Sequence, residues 1–109
     1  MKLLYKLQDD QYPFTYIDHV RNIARGFILN EQNEVLLEYI YDDDGFGHRD
    51  YYETPGGGVK DNESLQEALI REIEEECGYL VQIIDELGEV DDYYNLIHRE
   101  NHNYYFIAK

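Results

Sequence analysis

Glu72, Glu75 and Glu76 crowd one turn of a predicted helix, and such crowding needs a physical reason. Residues three and four apart on a helix are surface neighbours, so Glu72 meets both of the others, and like charges at that spacing repel. Their azimuth adds to the cost. Leu65, Leu69 and Ile73 form an apolar stripe flanked by Ile70 and Cys77, with Glu63, Glu67 and Glu74 roughly opposite. Glu76 falls between Leu65 and Leu69, and Glu72 lies about 20° from Leu65 at about 100° per residue. Carboxylates turned towards a core are costly unless paired. A hard divalent cation, which prefers oxygen ligands, is the economical partner. Arg71 is placed to neutralise or orient one of them.

For the helix alone, a solvated acidic face is the plain alternative. The segment ahead of it tips the balance. Gly56, Gly57 and Gly58 follow Pro55, and three glycines in succession let the backbone take conformations that a Cβ forbids. Accessible backbone groups beside a carboxylate helix make a site for metal-bound phosphate. The helix is expected to start with Asp61 or Asn62 as N-cap and to end near Cys77, with Gly78 as a left-handed cap.

Read as one pattern, Gly57-x5-Glu63-x7-Arg71-Glu72-Ile73-x-Glu75-Glu76-x-Gly78-Tyr79 resembles the Nudix box of the MutT-like Nudix hydrolases, and Pro55-Gly56-Gly57 matches its usual lead-in. Only Tyr79 departs, standing where the family has an aliphatic residue. The resemblance implies an α+β fold, a Nudix-type α/β/α sandwich with a mixed sheet and one long catalytic helix. It also implies hydrolysis, by metal-activated water, of a nucleoside diphosphate linked to another moiety, with Mg²⁺ or Mn²⁺ as cofactor. On that basis Glu72, Glu75, Glu76 and the Gly56 carbonyl are the metal ligands, and Gly56, Gly57 and Gly58 form the phosphate loop. Glu72 or Glu75 doubles as the base, Glu63 assists at the edge of the site, and Arg71 orients a glutamate. The proline of ADP-ribose-specific relatives is missing around Tyr94-Asn-Leu-Ile, and the tyrosine of dinucleoside-polyphosphate relatives is only approximated by Tyr93 and Tyr94. A nucleoside triphosphate is the substrate class towards which this leans, and Tyr51, Tyr52 or Tyr105 are candidates to stack on its base.

The rest of the chain bounds these readings. Its 109 residues suit a single Nudix domain, 1–109. A net charge of −15 and a pI near 4.3 argue against a nucleic-acid partner, which needs clustered Lys and Arg, so an anionic small-molecule substrate must arrive with cations or onto them. The lone Cys77 excludes an internal disulfide and reads as a small core residue. No run is long enough for a membrane span and the first residues lack a signal-peptide pattern, so a cytoplasmic, soluble protein is expected. The twelve tyrosines read mainly as core and rim packing.

The expected elements are strands around Leu3–Leu7, at Val20–Leu29 and at Val35–Tyr41, the last buried on both faces near its middle. A polar hairpin loop at Asn30–Asn33 joins the second and third of these, and Asp42–Asp50 reads as an acidic surface loop. Tyr51–Glu53 then leads into the glycines, and Glu53 is equally a strand-edge residue or a member of the metal shell. After the helix come a strand at Leu80–Val90 with Gly88 as a bulge, a turn at Asp91 and Asp92, a strand at Tyr93–His98, a hairpin connection at Arg99–Asn103, and a last strand at Tyr104–Ala108. His48, His98 and His102 lack zinc-ligand spacing and read as surface residues.

Nudix relatives continue beyond the last strand seen here, so a C-terminally short domain is expected, or one whose missing layer comes from a partner chain such as a second copy in a homodimer. The late region often supplies relatives with a further carboxylate, which keeps a nucleotide-binding module without turnover as the rival reading. A purely structural acidic domain leaves the glycines and the box unexplained.

Overall fold

Period-two burial builds the core. In the strand His19–Ile28 (β2), Ala24 and Ile28 are buried, and in Arg99–Ala108 (β7), Phe106 and Ala108 are buried on the facing positions. Ala68, Leu69 and Ile73 of the helix Leu65–Cys77 (α1) close over them. The contact is tight at Gly26, where a Cβ would stand 3.0 Å from Leu69 Cδ2. The small residues of β2 therefore let the helix lie close on the sheet.

A computed structural model describes residues 1–44 and 47–109, with Asp44 described by its backbone alone. The remaining strands are Leu3–Lys6 (β1), Glu38–Asp44 (β3), Gly47–Glu53 (β4), Gly56–Gly58 (β5) and Ile83–Tyr94 (β6). A five-stranded mixed sheet runs β1-β6-β7-β2-β5, with β1·β6 and β7·β2 parallel and the other pairs antiparallel. The β3·β4 hairpin forms a separate two-stranded sheet. Strands on either side of one helix, with a mixed sheet beneath it, make the expected α+β, Nudix-type arrangement. Among the described residues no helix is long and apolar enough to cross a membrane.

Several boundaries differ from expectation. The N-cap of α1 is Ser64, not Asp61 or Asn62: its side chain accepts from Glu67 N–H at 3.0 Å, and its own N–H donates to Glu67 Oε1 at 3.3 Å. This is a capping box, which requires the Ser-x-x-Glu spacing found only from Ser64 onwards. Asn62 instead takes a left-handed φ of 63° in the preceding turn. At the other end Gly78 caps as expected, with φ 75° and its N–H donated to the Glu74 carbonyl.

The third strand starts at Glu38 rather than Val35, and its Tyr39 and Tyr41 are exposed rather than buried. The expected Asp42–Asp50 loop is largely paired strand, with Asp42 opposite Arg49 and Asp43 opposite His48, while Gly45 and Phe46 lie outside the described residues. Neither a turn at Asp91 and Asp92 nor a hairpin at Arg99–Asn103 forms. Asp92 instead pairs with both asparagines across β6 and β7, while Asp91 stands opposite His102. Asp92 accepts from Asn101 Nδ2 at 2.7 Å and from Asn103 Nδ2 at 2.9 Å, and both asparagines are almost fully buried. Turn-forming residue types satisfied by a cross-strand ladder do not need to turn. The reversal comes later, in a short 3₁₀ segment at Asn95–Ile97 closed by His98 at φ 56°, where Tyr93–His98 was expected to be strand. Asn95 anchors it: its carbonyl accepts from the His98 N–H, its own N–H donates to Asp9 Oδ2 and its amide to the Tyr12 carbonyl. Gly88 marks a register shift in β6, as expected of a bulge.

Candidate active site

The glycines form strand β5, paired antiparallel to β2 at Ile23, Ala24 and Arg25. At Gly56, with φ 151°, a Cβ would stand 2.1 Å from the Ala24 carbonyl oxygen, so only glycine fits. At Gly57 the obstacle is the site itself: a Cβ would lie 2.4 Å from Glu72 Cδ and 2.6 Å from both carboxylate oxygens. The backbone of β5 thus touches the helix carboxylate directly.

Arg71 organises that carboxylate. Its Nε and Nη2 grip Glu63 in a two-pronged pair at 2.7 and 3.0 Å, and Nη2 also donates to the Gly58 carbonyl at 3.0 Å. Its Nη1 reaches Glu72 Oε1 at 2.9 Å and Glu75 Oε2 at 3.2 Å. One guanidinium therefore ties the glycine strand, the turn before the helix and two helix carboxylates together. The Arg71 pair, and then the Lys60 N–H, hold the Glu63 carboxyl down to about 2.

Glu76 has the opposite environment. Burial, followed by the Glu38 and Glu72 carboxylates beside it, pushes its carboxyl up to about 9. Its residue surface remains exposed, so solvent screening moderates the energy that this shift carries. Three acidic groups converge here, with Arg71 bonded to Glu72 at their edge, and form a donor set that suits a hard divalent ion. Glu38, the first residue of β3, was not among the residues singled out from sequence. It reaches the site because β3 pairs it with Glu53. Cys77 donates to Glu38 Oε1 at 3.5 Å, and burial and Glu38 push its thiol up to about 11, so it is a protonated packing residue rather than a nucleophile.

These groups open onto a cleft of about 220 Å³ lined by the carboxylates Glu53, Glu72 and Glu76, by Gly56 and Gly57, by Arg21, Arg25, Arg49 and Arg99, and by Ile23 and Tyr94. The chain's five arginines are Arg21, Arg25, Arg49, Arg71 and Arg99, and all of them stand at this site. In a protein of net charge −15 that concentration offsets the glutamates gathered at the same site. Arg21, Ile23 and Arg25 share one face of β2 by strand alternation, a signal that the sequence carried. Arg25 is fixed by Asn103 Oδ1 at 3.0 Å and the Thr54 carbonyl at 2.9 Å. A larger groove of about 340 Å³ lies elsewhere, among Ile28, Leu29, Val35, Leu36, Tyr79 and Leu80, but it holds none of the glycines and helix carboxylates.

Of the residues expected from sequence, Gly56, Gly57, Glu72 and Glu76 line the cleft, and Gly58, Glu63 and Glu75 gather round Arg71 behind it. The equally weighed placement of Glu53 resolves onto the cleft wall.

A family model, the NUDIX domain, matches residues 19–109, which takes in β2, the glycine strand, the helix and β7. The chain belongs to the Nudix family. An 8-oxo-dGTP diphosphatase of Proteus vulgaris is 37% identical over 57 residues, 52% of this chain and 49% of that protein. The crystal structure of the MutT protein from Methanosarcina mazei Go1 superposes with a TM-score of 0.68 at 27% identity, over 81% of this chain and 62% of that one. The solution structure of the E. coli ORF135 protein shares the fold, with a TM-score of 0.66 at 20% identity over 81% and 59%. This Nudix chain therefore spans about half the length of the curated relative and about three-fifths of the solved ones.

Two outcomes follow from the site geometry. Gly57→Ala forces the Glu72 carboxylate off its Arg71 partner while leaving an ordinary backbone conformation, so the protein stays folded by circular dichroism. Any turnover falls by about a hundredfold, the scale for a displacement of about 1 Å. The second concerns pH. A folded-state carboxyl raised from 4.5 to about 9 contributes stability that is complete below pH 4.5 and is lost as pH rises towards 9. Glu63, depressed from 4.5 to about 2, contributes stability that is constant above 4.5 and is lost only on acidification below it, so the two windows do not overlap. In EDTA the thermal midpoint accordingly declines between pH 5 and 9, and Glu76→Gln flattens that decline. An unchanged slope in Glu76→Gln would assign it to another group.

Proposed function

We propose that this Nudix domain hydrolyses the diphosphate of a nucleoside diphosphate derivative, with a nucleoside triphosphate as its substrate class, using Mg²⁺ or Mn²⁺. The observation that carries this reading is the single cleft that gathers converging carboxylates, the glycine strand and four arginines. We assign Glu72, Glu75, Glu76 and the Gly56 carbonyl to hold the metal. Bound there, it would neutralise phosphate charge and lower the pKa of a water molecule.

The chain's own groups do the rest. Arg21, Arg25, Arg49 and Arg99 bind the phosphate tail and hold it against the β5 backbone. Arg71 fixes Glu72 in one rotamer, so its oxygens are positioned before substrate arrives. Glu72 or Glu75 accepts the proton of the attacking water; the new P–O bond forms as the bridging P–O bond breaks, and the pair from a triphosphate is a nucleoside monophosphate and pyrophosphate. Glu63, held ionised by Arg71, supports the edge of the site. The name of the Proteus relative makes an oxidised guanine triphosphate the first substrate to try.

Release of phosphate or pyrophosphate would be measured from a panel of triphosphates, oxidised triphosphates, ADP-ribose, a nucleotide sugar and a dinucleoside polyphosphate, with Mg²⁺ and with EDTA. Metal-dependent turnover of a triphosphate is expected. Nucleotide binding without turnover in folded protein would replace hydrolysis by a nucleotide-holding role.

A further inference from the structure

A second group of ligand-type side chains lies away from the cleft. Glu89 and Asp91 stand two apart on β6 and so share a face, and β7 places His102 directly opposite Asp91. His102 Nδ1 lies 2.9 Å from Glu89 Oε2 and 3.0 Å from Asp91 Oδ1. The three ligand atoms all fall within 4.8 Å of one another. None of these residues lines the arginine–carboxylate cleft.

Two further features point to an ion rather than to a plain ion pair. Asp91 is only 3% exposed, and its Oδ1 is buried with no hydrogen bond although it is aimed at the ring nitrogen. A proton on Nδ1 serves one acceptor well, and Glu89 takes it. On the far side of the ring, Nε2 is 2.7 Å from Glu100 Oε2. With the Nε2 proton held by Glu100, an ion can replace the Nδ1 proton between the ring, Glu89 and Asp91, the arrangement usual behind metal-bound histidines. Three carboxylates around a single imidazole leave two negative charges even when the ring is protonated, and Lys6, opposite Asp91 on β1, offsets one of them.

We propose that Glu89, Asp91 and His102 form a second cation site, specific for a borderline transition ion such as Zn²⁺ and distinct from the Nudix metal site. Imidazole nitrogen with two carboxylates is a donor set that Zn²⁺ takes and Mg²⁺ does not favour. Bonds of about 2.1 Å in a tetrahedral shell set ligand atoms about 3.4 Å apart. The observed 2.9 and 3.0 Å need open by only a few tenths of an ångström, which is what repulsion between bare ligand atoms and exchange of a proton for an ion require. The ion would cross-link β6 and β7 beside β1, a stabilising role with no part in the chemistry at the cleft.

The test is Zn²⁺ titration of the metal-stripped, full chain by calorimetry. Protein carrying Glu72→Gln and Glu76→Gln, which silences the Nudix ligands, is expected to keep one equivalent of Zn²⁺ uptake, and adding His102→Gln is expected to abolish it. His102→Gln alone is expected to leave Mg²⁺-dependent turnover as in the parent. Should that variant not fold, the Co²⁺-loaded parent protein decides, because the site requires a hyperfine-shifted, exchangeable imidazole N–H in its proton NMR spectrum. Uptake that disappears with Glu72 and Glu76, uptake indifferent to His102→Gln, or a Co²⁺ spectrum without an imidazole signal would each overturn the proposal.

Discussion

Glu72→Gln is expected to lower kcat by about a thousandfold with the fold intact, the scale on which removal of one electrostatic element of a reaction centre is felt. The substitution keeps the side chain's shape and one acceptor oxygen, so Arg71 can still be met, but it removes the charge that sits against Gly57 in the cleft that the arginines share. Glu72 is also one of the two neighbours whose charge raises Glu76. The apo variant should therefore show less of the stability decline between pH 5 and 9 while losing turnover, a pairing that simple misfolding does not produce. Steady-state kinetics with Mg²⁺ and pH-resolved melting in EDTA measure the two effects. Retention of parental kcat would remove Glu72 from the chemistry.

Arg71→Gln should cost turnover about 10- to 100-fold, the range for groups that orient a metal ligand without binding the metal. It should lower the thermal midpoint as well. The guanidinium makes five hydrogen bonds within its cluster, to Glu63 twice, to Glu72, to Glu75 and to the Gly58 carbonyl. Its loss leaves Glu63 and Glu72, each with little exposed side-chain surface, facing one another uncompensated. Arg71→Lys is the informative control. A lysine restores the charge but not the planar fork, so it should recover part of the stability and little of the activity. Full recovery by lysine would show that charge alone matters at this position. Because Arg71 acts through Glu72, the double variant with Glu72→Gln should lose little more activity than Glu72→Gln itself.

The box residues were legible because their chemistry is local. Helical spacing alone places Glu72 against Glu75 and Glu76, brings Arg71 and Glu75 together at i and i+4, and lets Gly78 close the helix, and the structure repeats each of these relations. The glycines were equally plain, since three in succession have few uses besides close backbone approach, and Gly57 approaches Glu72 as closely as any residue can. Local rules misled where a long-range partner outbid them. Asp91, Asp92, Asn101 and Asn103 are turn formers in isolation, yet pairing between β6 and β7 keeps the strands running, with Asp92 bonded to both asparagines inside the sheet. His102 read as a surface residue, but the same register half-buries its ring among Glu89, Asp91 and Glu100.

Apart from the alternation of Arg21 and Arg25 along β2, the gathering of the arginines and the arrival of Glu38 belong to the tertiary structure. Arg21 and Arg25 come from β2, Arg49 from β4 and Arg99 from β7, with no common spacing among the four, and Glu38 arrives from a hairpin that precedes the helix by many residues. A sequence states which charges exist and which neighbours they have along one element. Which charges from different strands share a cleft depends on sheet order and register, and those are set by burial of Ala24, Ile28, Leu69, Ile73 and Phe106, whose side chains lie in the core.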